Sequence, residues 1–277
     1  MTTLPSFAGR VRDWPVVSFP LLVLSRFFRL ELLERSFGLA AQAFVALLPL
    51  VIAVVSVFVD DSGALIAGQL SDRYGLDQVA RRAIESLFTA TTDVVTISWL
   101  ALAMSFLSAF SLSRRLARTY AAIFEVPPLP RRQTWHGLVW IALQVSLLIV
   151  ASTMRDIYRS QGGVIEVLAV IGLVATWLFV DWFGVRLLVP AVANRLIIAS
   201  AIVCGIGRLG VTVWAAIYMP TAMSDQAAQY GPIGVTFTIF TYLLVNVVVY
   251  LAGPLLVTSW LTWRAERSAG RQLTLDT

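Results

Sequence analysis

Two ionisable residues stand where such residues are rare. Asp181 falls inside the apolar stretch Val167–Val189, and Arg208 falls inside Leu196–Met219. A charge deep in a membrane-crossing helix costs at least a few kcal/mol, so it turns toward other helices and finds a partner. At 1.5 Å per residue, Asp181 lies about 12 Å from the end of its stretch, and Arg208 about 18 Å from the same side. A long guanidinium stem covers a difference of about 6 Å, so the two are expected to pair. Arg186 competes for Asp181, but five residues away on one helix it points elsewhere and is close enough to the edge to snorkel. Gln42, Gln144 and Asn246 lie in other apolar stretches and extend the expected polar site. Such a site serves either as a polar pathway for a substrate headgroup or as a static pair that fixes helix register, with the amides bridging helices.

Other motifs carry less chemistry. Gly205-Ile206-Gly207-Arg208-Leu209-Gly210 satisfies GxGxxG, but no strand precedes it, and the dinucleotide fingerprint needs a strand, a turn and a helix. Its small residues, with Ala201 and Gly205 four apart, suit close approach of a neighbouring helix. One His (His136) and one Cys (Cys204) give neither a metal-ligand set nor an internal disulfide. No Ser/His or paired-carboxylate constellation is present, so enzyme activity is not expected, and nothing calls for a cofactor.

The elements that must position Asp181 and Arg208 follow from composition. The 277 residues are 58% apolar and 13% charged, against about 45–50% and 25% in soluble domains. Six charge-poor stretches, Ser36–Val59, Val94–Ser113, Gln133–Met154, Val167–Val189, Leu196–Met219 and Ile233–Trp263, each reach the roughly 20 residues a helix needs to cross a bilayer. The expected fold class is therefore all-α, a polytopic membrane protein with six transmembrane helices. Residues 1–35 precede the 36–263 transmembrane domain, and 264–277 form a tail. Strands of a membrane barrel alternate apolar and polar, whereas Leu47–Val59 is apolar at almost every position. Pro49 and Gly253-Pro254 are expected kinks.

Every one of the 21 basic residues is Arg, and the formal net charge is +5. With the N-terminus inside, Arg10, Arg12, Arg26, Arg29, Arg35, Arg114, Arg115, Arg118, Arg131, Arg132, Arg186, Arg195, Arg264, Arg267 and Arg271 fall on the inner side. Arg73, Arg81, Arg82, Arg155 and Arg159 fall outside. That three-to-one bias places both termini in the cytoplasm. The inner arginines, Arg114, Arg115, Arg118, Arg131 and Arg132 above all, are available to anionic headgroups. Membrane lipids are the expected partners, and nucleic acid is not.

Two further helices are expected. Val16–Arg35 is amphipathic and either lies at the cytoplasmic interface or packs under the bundle. In the long outer loop, Leu76, Val79, Ala83, Ile84, Leu87 and Phe88 recur at helical spacing, so Asp77–Ala90 is expected as an amphipathic helix on the outer surface or tucked into the bundle, with a packing role ahead of that of a transporter's lid. After the second span, Val126-Pro127-Pro128-Leu129-Pro130-Arg131-Arg132 suits an extended connector.

Several segments together resemble the YihY / virulence factor BrkB family. They are Glu34–Ala43 running to Leu47-Leu48-Pro49-Leu50, Ser113–Tyr120 followed by Phe124-Glu125-Val126-Pro127, and Tyr230-Gly231-Pro232-Ile233-Gly234. The resemblance extends over roughly residues 30–260. It implies a multi-pass protein of the bacterial inner membrane, associated with envelope integrity and transport and with no agreed substrate. Many members carry Gly-Ala-Glu near the end of the last span where this chain has Ala252-Gly253-Pro254, so any role of that carboxylate is absent or has moved to Asp181. The older ribonuclease label of the family finds no support in these residues. The leading expectation is a handler of an anionic lipid or envelope precursor, and the rival is a non-transporting scaffold.

Overall fold

The computed structural model describes residues 15–58, 75–92, 99–130, 135–144 and 164–273, with 68, 71, 133 and 146. Regular structure among them is entirely helical. In chain order the helices are α1 (Pro15–Arg29), α2 (Leu32–Phe58), α3 (Gln78–Thr92), α4 (Trp99–Ile123), α5 (135–144), α6 (Val164–Leu188), α7 (Asn194–Tyr230) and α8 (Pro232–Leu273). Among the described residues, two stretches are long and apolar enough to cross a membrane, α7 and the Pro232–Ser268 part of α8. The first, second, fourth, fifth and sixth expected spans fall on α2, α4, α6, α7 and α8. The third is described only in its opening part, α5, and Arg131 and Arg132 lie outside the described residues.

Local chemistry sets the helix ends. The expected single helix Val16–Arg35 is divided, because Glu31 takes a positive φ of 51° and donates its N–H to the Phe28 carbonyl. Its own carbonyl then accepts from Arg35 and opens α2. Arg35 also donates Nε to the Leu30 carbonyl at 2.8 Å, answering a group the helix end leaves unpaired. α4 ends in a Schellman arrangement, with Val126 N–H on the Ala121 carbonyl, Glu125 N–H on Ala122, and Glu125 at φ 56°. Asp77 caps α3, its carboxylate accepting the Ala80 N–H at 2.8 Å.

α7 and α8 form a hairpin through Gly231, whose φ of 60° and ψ of −140° suit glycine. A Cβ on Gly234 would run into the Gln226 carbonyl. At 1.5 Å per residue, α7 with 37 residues is about 55 Å long and α8 with 42 about 63 Å. Both run unbroken through Pro220 and Pro254, and α2 through Pro49, so the expected kink positions do not interrupt their helices.

Two apolar cores sit at opposite ends of this hairpin. One gathers Leu32 and Leu39 of α2, Leu116 and Tyr120 of α4, Leu188 of α6, Ile197 of α7, and Leu251 and Leu255 of α8. The other joins Leu76, Ala80, Ala83 and Ile84 at α3 to Met219, Met223 and Ala227 of α7 and Val235 of α8. The amphipathic loop helix thus packs on the hairpin tip, although Val79, expected on its apolar face, is exposed.

α1 packs by one side and leaves the other open. Phe19 meets Trp260 and Trp263 edge-on, at 5.6 and 5.9 Å between ring centroids, while Leu21, Leu24 and Phe28 stay exposed. Arg26 accords with packing under the bundle, the second of the two placements expected for this segment. It is buried, donating to Thr262 Oγ1 at 3.1 Å and pairing with Glu125, and so ties α1 to α8 and to the end of α4.

One face of α7 is apolar and uncovered. Ile198, Ile202, Ile206, Leu209, Val213 and Ile217 are 47% to 73% exposed, and the 19 steps from first to last measure about 29 Å. Gly253 instead lies against the Cys204 thiol and the Ser200 carbonyl, where a Cβ has no room. Gly253→Val should therefore destabilise by about 1–3 kcal/mol, and Ile206→Val by less than about 0.5 kcal/mol. Unfolding midpoints of the detergent-solubilised variants check both, and equal losses would contradict the packing described.

Candidate functional site

Asp181 and Arg208 meet between α6 and α7. Arg208 Nη1 lies 2.9 Å from Asp181 Oδ1 and 3.1 Å from Oδ2. The carboxylate side chain is 2% exposed and the guanidinium side chain 15%. In a low-dielectric interior such a pair is held only if its remaining hydrogen-bonding capacity is met. Tyr250 of α8 meets part of it. Its hydroxyl donates to Asp181 Oδ1 at 2.6 Å and accepts from Arg208 Nη1 at 2.9 Å. Gln144 of α5 also donates to that hydroxyl at 2.9 Å, so four helices converge on one phenol oxygen.

Aromatic faces complete the setting. The Arg208 guanidinium lies over the Trp177 ring at 4.4 Å and over the Tyr250 ring at 5.0 Å, and the ring quadrupoles stabilise the cation where water is scarce. Trp177 precedes Asp181 by four residues, so the indole and the carboxylate share one face of α6. Arg208 spends a single nitrogen on the ion pair and on Tyr250. Its Nε and Nη2 meet no acceptor among the described residues. The indole N–H of Trp177 is likewise buried without a partner. The site therefore presents donors in excess of acceptors, an arrangement suited to a group that accepts hydrogen bonds.

Local sequence explains how the helices come this close. Gly205 receives the Leu178 side chain from α6, and Gly207 receives Val249 from α8, so the glycines around Arg208 face two different neighbours. Pro254 has no N–H to offer the Tyr250 carbonyl one turn back. The Cys204 thiol lies 3.6 Å from that carbonyl and donates to it.

The other expected site residues divide. Gln144 joins the site. Gln42 does not, because it faces α4, its side-chain amide donating to Ser111 Oγ at 3.0 Å while its backbone carbonyl accepts from the Ser108 hydroxyl. Asn246 also stands apart, bonding the Tyr242 carbonyl of its own helix at 2.8 Å. Arg186 donates to the carbonyls of Pro190 and Val192 at the α6–α7 turn. Among the arginines expected to contact headgroups, Arg114 and Arg118 are exposed, whereas Arg115 turns toward Gly38 of α2. Tyr250 and Trp177 were not anticipated from sequence. Tyr250 stands 13 residues, about 20 Å, before Trp263, so matching polar groups by depth would have found it.

No family model, no curated relative and no solved structure matches the chain.

Removing one member of a buried pair leaves the other uncompensated, at about 3–5 kcal/mol. Asp181→Ala and Arg208→Ala should each cost that much, and the double variant clearly less than their sum. Tyr250→Phe should cost about 1–3 kcal/mol. Thermal unfolding of the four proteins tests the coupling, and strictly additive losses would show that the groups do not act as a unit.

Proposed function

We propose that the chain is a six-span protein of the bacterial cytoplasmic membrane, with both termini inside, that moves or accommodates an anionic amphiphile such as a lipid or envelope precursor. The observation that carries this reading is Arg208. It lies ten residues past Ile198 and nine before Ile217, level with the middle of the exposed apolar face of α7 but turned from it toward α6 and α8, and the roughly 29 Å of that face equals the thickness of a hydrocarbon core. A cation at that depth whose Nε and Nη2 meet no acceptor among the described residues is poised to receive an anionic oxygen, and the excess indole donor of Trp177 reinforces the preference.

Three features support the rest. The arginine bias supports the orientation. The lengths of α7 and α8, well beyond the roughly 20 residues of a crossing, accord with a hairpin that continues into water at both ends. The resemblance to the YihY / virulence factor BrkB family supports an envelope role. Arg208 acts as the mid-membrane anion contact, Asp181 and Tyr250 hold it in place, and the exposed inner arginines gather anionic lipid.

A second reading has its own observation. Two clefts among the described residues, one beside Arg114 and Arg118 and one beside Trp214 and Tyr218, include none of Arg208, Asp181 and Tyr250, which favours a static bundle that supports the envelope without moving anything. Proteoliposomes separate the two. Purified protein should accelerate transbilayer movement of a fluorescent phosphatidylglycerol, and Arg208→Gln should lower that rate at least tenfold, about 1.4 kcal/mol in the barrier. Wild-type protein that leaves the lipid distribution unchanged favours the scaffold.

A further inference from the structure

A second basic site lies away from Arg208. At the end of α4, a cleft of about 200 Å³ is walled by Arg114 and Arg118, by Pro128 and Leu129 of the proline-rich connector, and by Gln133 and Gly137 at the start of α5. Gly137 forms part of its floor, because a side chain there would strike the Ser113 hydroxyl. The Ser113 hydroxyl donates to the Phe110 carbonyl, which leaves its oxygen free to accept. None of the described residues that line the cleft is acidic.

The two arginines are four residues apart, so their like charges stand side by side on one face of α4, an arrangement that disfavours the helix unless an anion bridges them. Neither forms an ion pair among the described residues. Drug-sized ligands occupy about 300–1,000 Å³, so this cleft admits a headgroup and not a whole nucleotide or lipid. What continues from it is apolar. Leu107 and Phe110 precede Arg114 at seven and four residues and share its face of α4. Leu107 and the neighbouring Phe106 are about 60% exposed, and the Arg114 guanidinium lies 6.0 Å from the Phe110 ring.

We infer that this cleft is a docking site for the phosphate of an anionic phospholipid of the inner leaflet, with Arg114 and Arg118 on the headgroup and an acyl chain along Phe110, Leu107 and Phe106. The site rests on the proposed orientation, which puts this end of α4 at the cytoplasmic face. It is separate from Arg208 and needs no transport. A free phosphate would use the arginines alone, whereas a lipid uses the apolar face as well.

The test is thermal unfolding of the full chain, purified and delipidated in neutral detergent. The probes are dioleoyl phosphatidylglycerol, dioleoyl phosphatidylcholine and inorganic phosphate at equal concentration. Phosphatidylglycerol should raise the midpoint by ligand linkage, and the other two should not. The shift should fall by half or more in Arg114→Gln/Arg118→Gln and persist in Arg29→Gln/Arg264→Gln, which removes two exposed inner arginines elsewhere. Gln133→Glu adds a carboxylate to the exposed rim without touching the core, and it should lose the shift even if the double variant folds poorly. An undiminished shift in the cleft variants, or an equal shift with inorganic phosphate, overturns the lipid site. Lipid binding without transbilayer movement would sink the transport reading and leave this cleft standing.

Discussion

A charge held away from water dictates much of this architecture. Arg208 is largely withdrawn from solvent, so a carboxylate, a phenol and two aromatic faces reach it, and these come from α6 and α8. Gln144 then recruits α5 through the same phenol. Apolar burial supplies little preference between helices when the surroundings are as apolar as the helices themselves. On the proposed placement, this network and the close approach at Gly253 set register where hydrophobicity cannot. The glycines are part of the same solution, since the ion pair closes only if α6, α7 and α8 lie near enough for side chains to meet.

The ends of the bundle are held by different means. Beyond the tip of the α7–α8 hairpin, α3 covers Met219, Met223 and Val235 with small residues and Ile84, an ordinary apolar core. At the other end, Arg26 fastens α1 to Thr262 and Glu125. Glu31 and Glu125 both adopt a left-handed backbone that glycine would take at less cost. At Glu125 the side chain is used in that ion pair, which gives a reason for a carboxylate at a position whose backbone favours glycine.

Much of the helical content was legible from apolar length, and the depths of Asp181 and Arg208 were enough to bring them together. Tyr250 was missed because a tyrosine carries no formal charge and is at home among apolar residues, so nothing in its type marks it as a partner. Gln42 and Asn246 were placed wrongly for a related reason. Depth along a helix can be counted, but which way an amide faces depends on the rotation of the whole helix. The division between α1 and α2 was equally hidden, because a glutamate in left-handed backbone gives no glycine signal. Val79 failed by periodicity alone, since helical spacing locates a face without giving its width.

The carbonyl of Tyr250 has lost its helical donor to Pro254, and what answers it is the thiol of Cys204, a weak donor. A side chain bonded to three other helices therefore hangs from one of the more loosely tied points of its own backbone. Mechanically, α8 combines a firm grip with a compliant stem. Bending at that point would turn the phenol without breaking a regular backbone hydrogen bond, so the polar network can be reoriented as a body while the ladders of its helices stay intact.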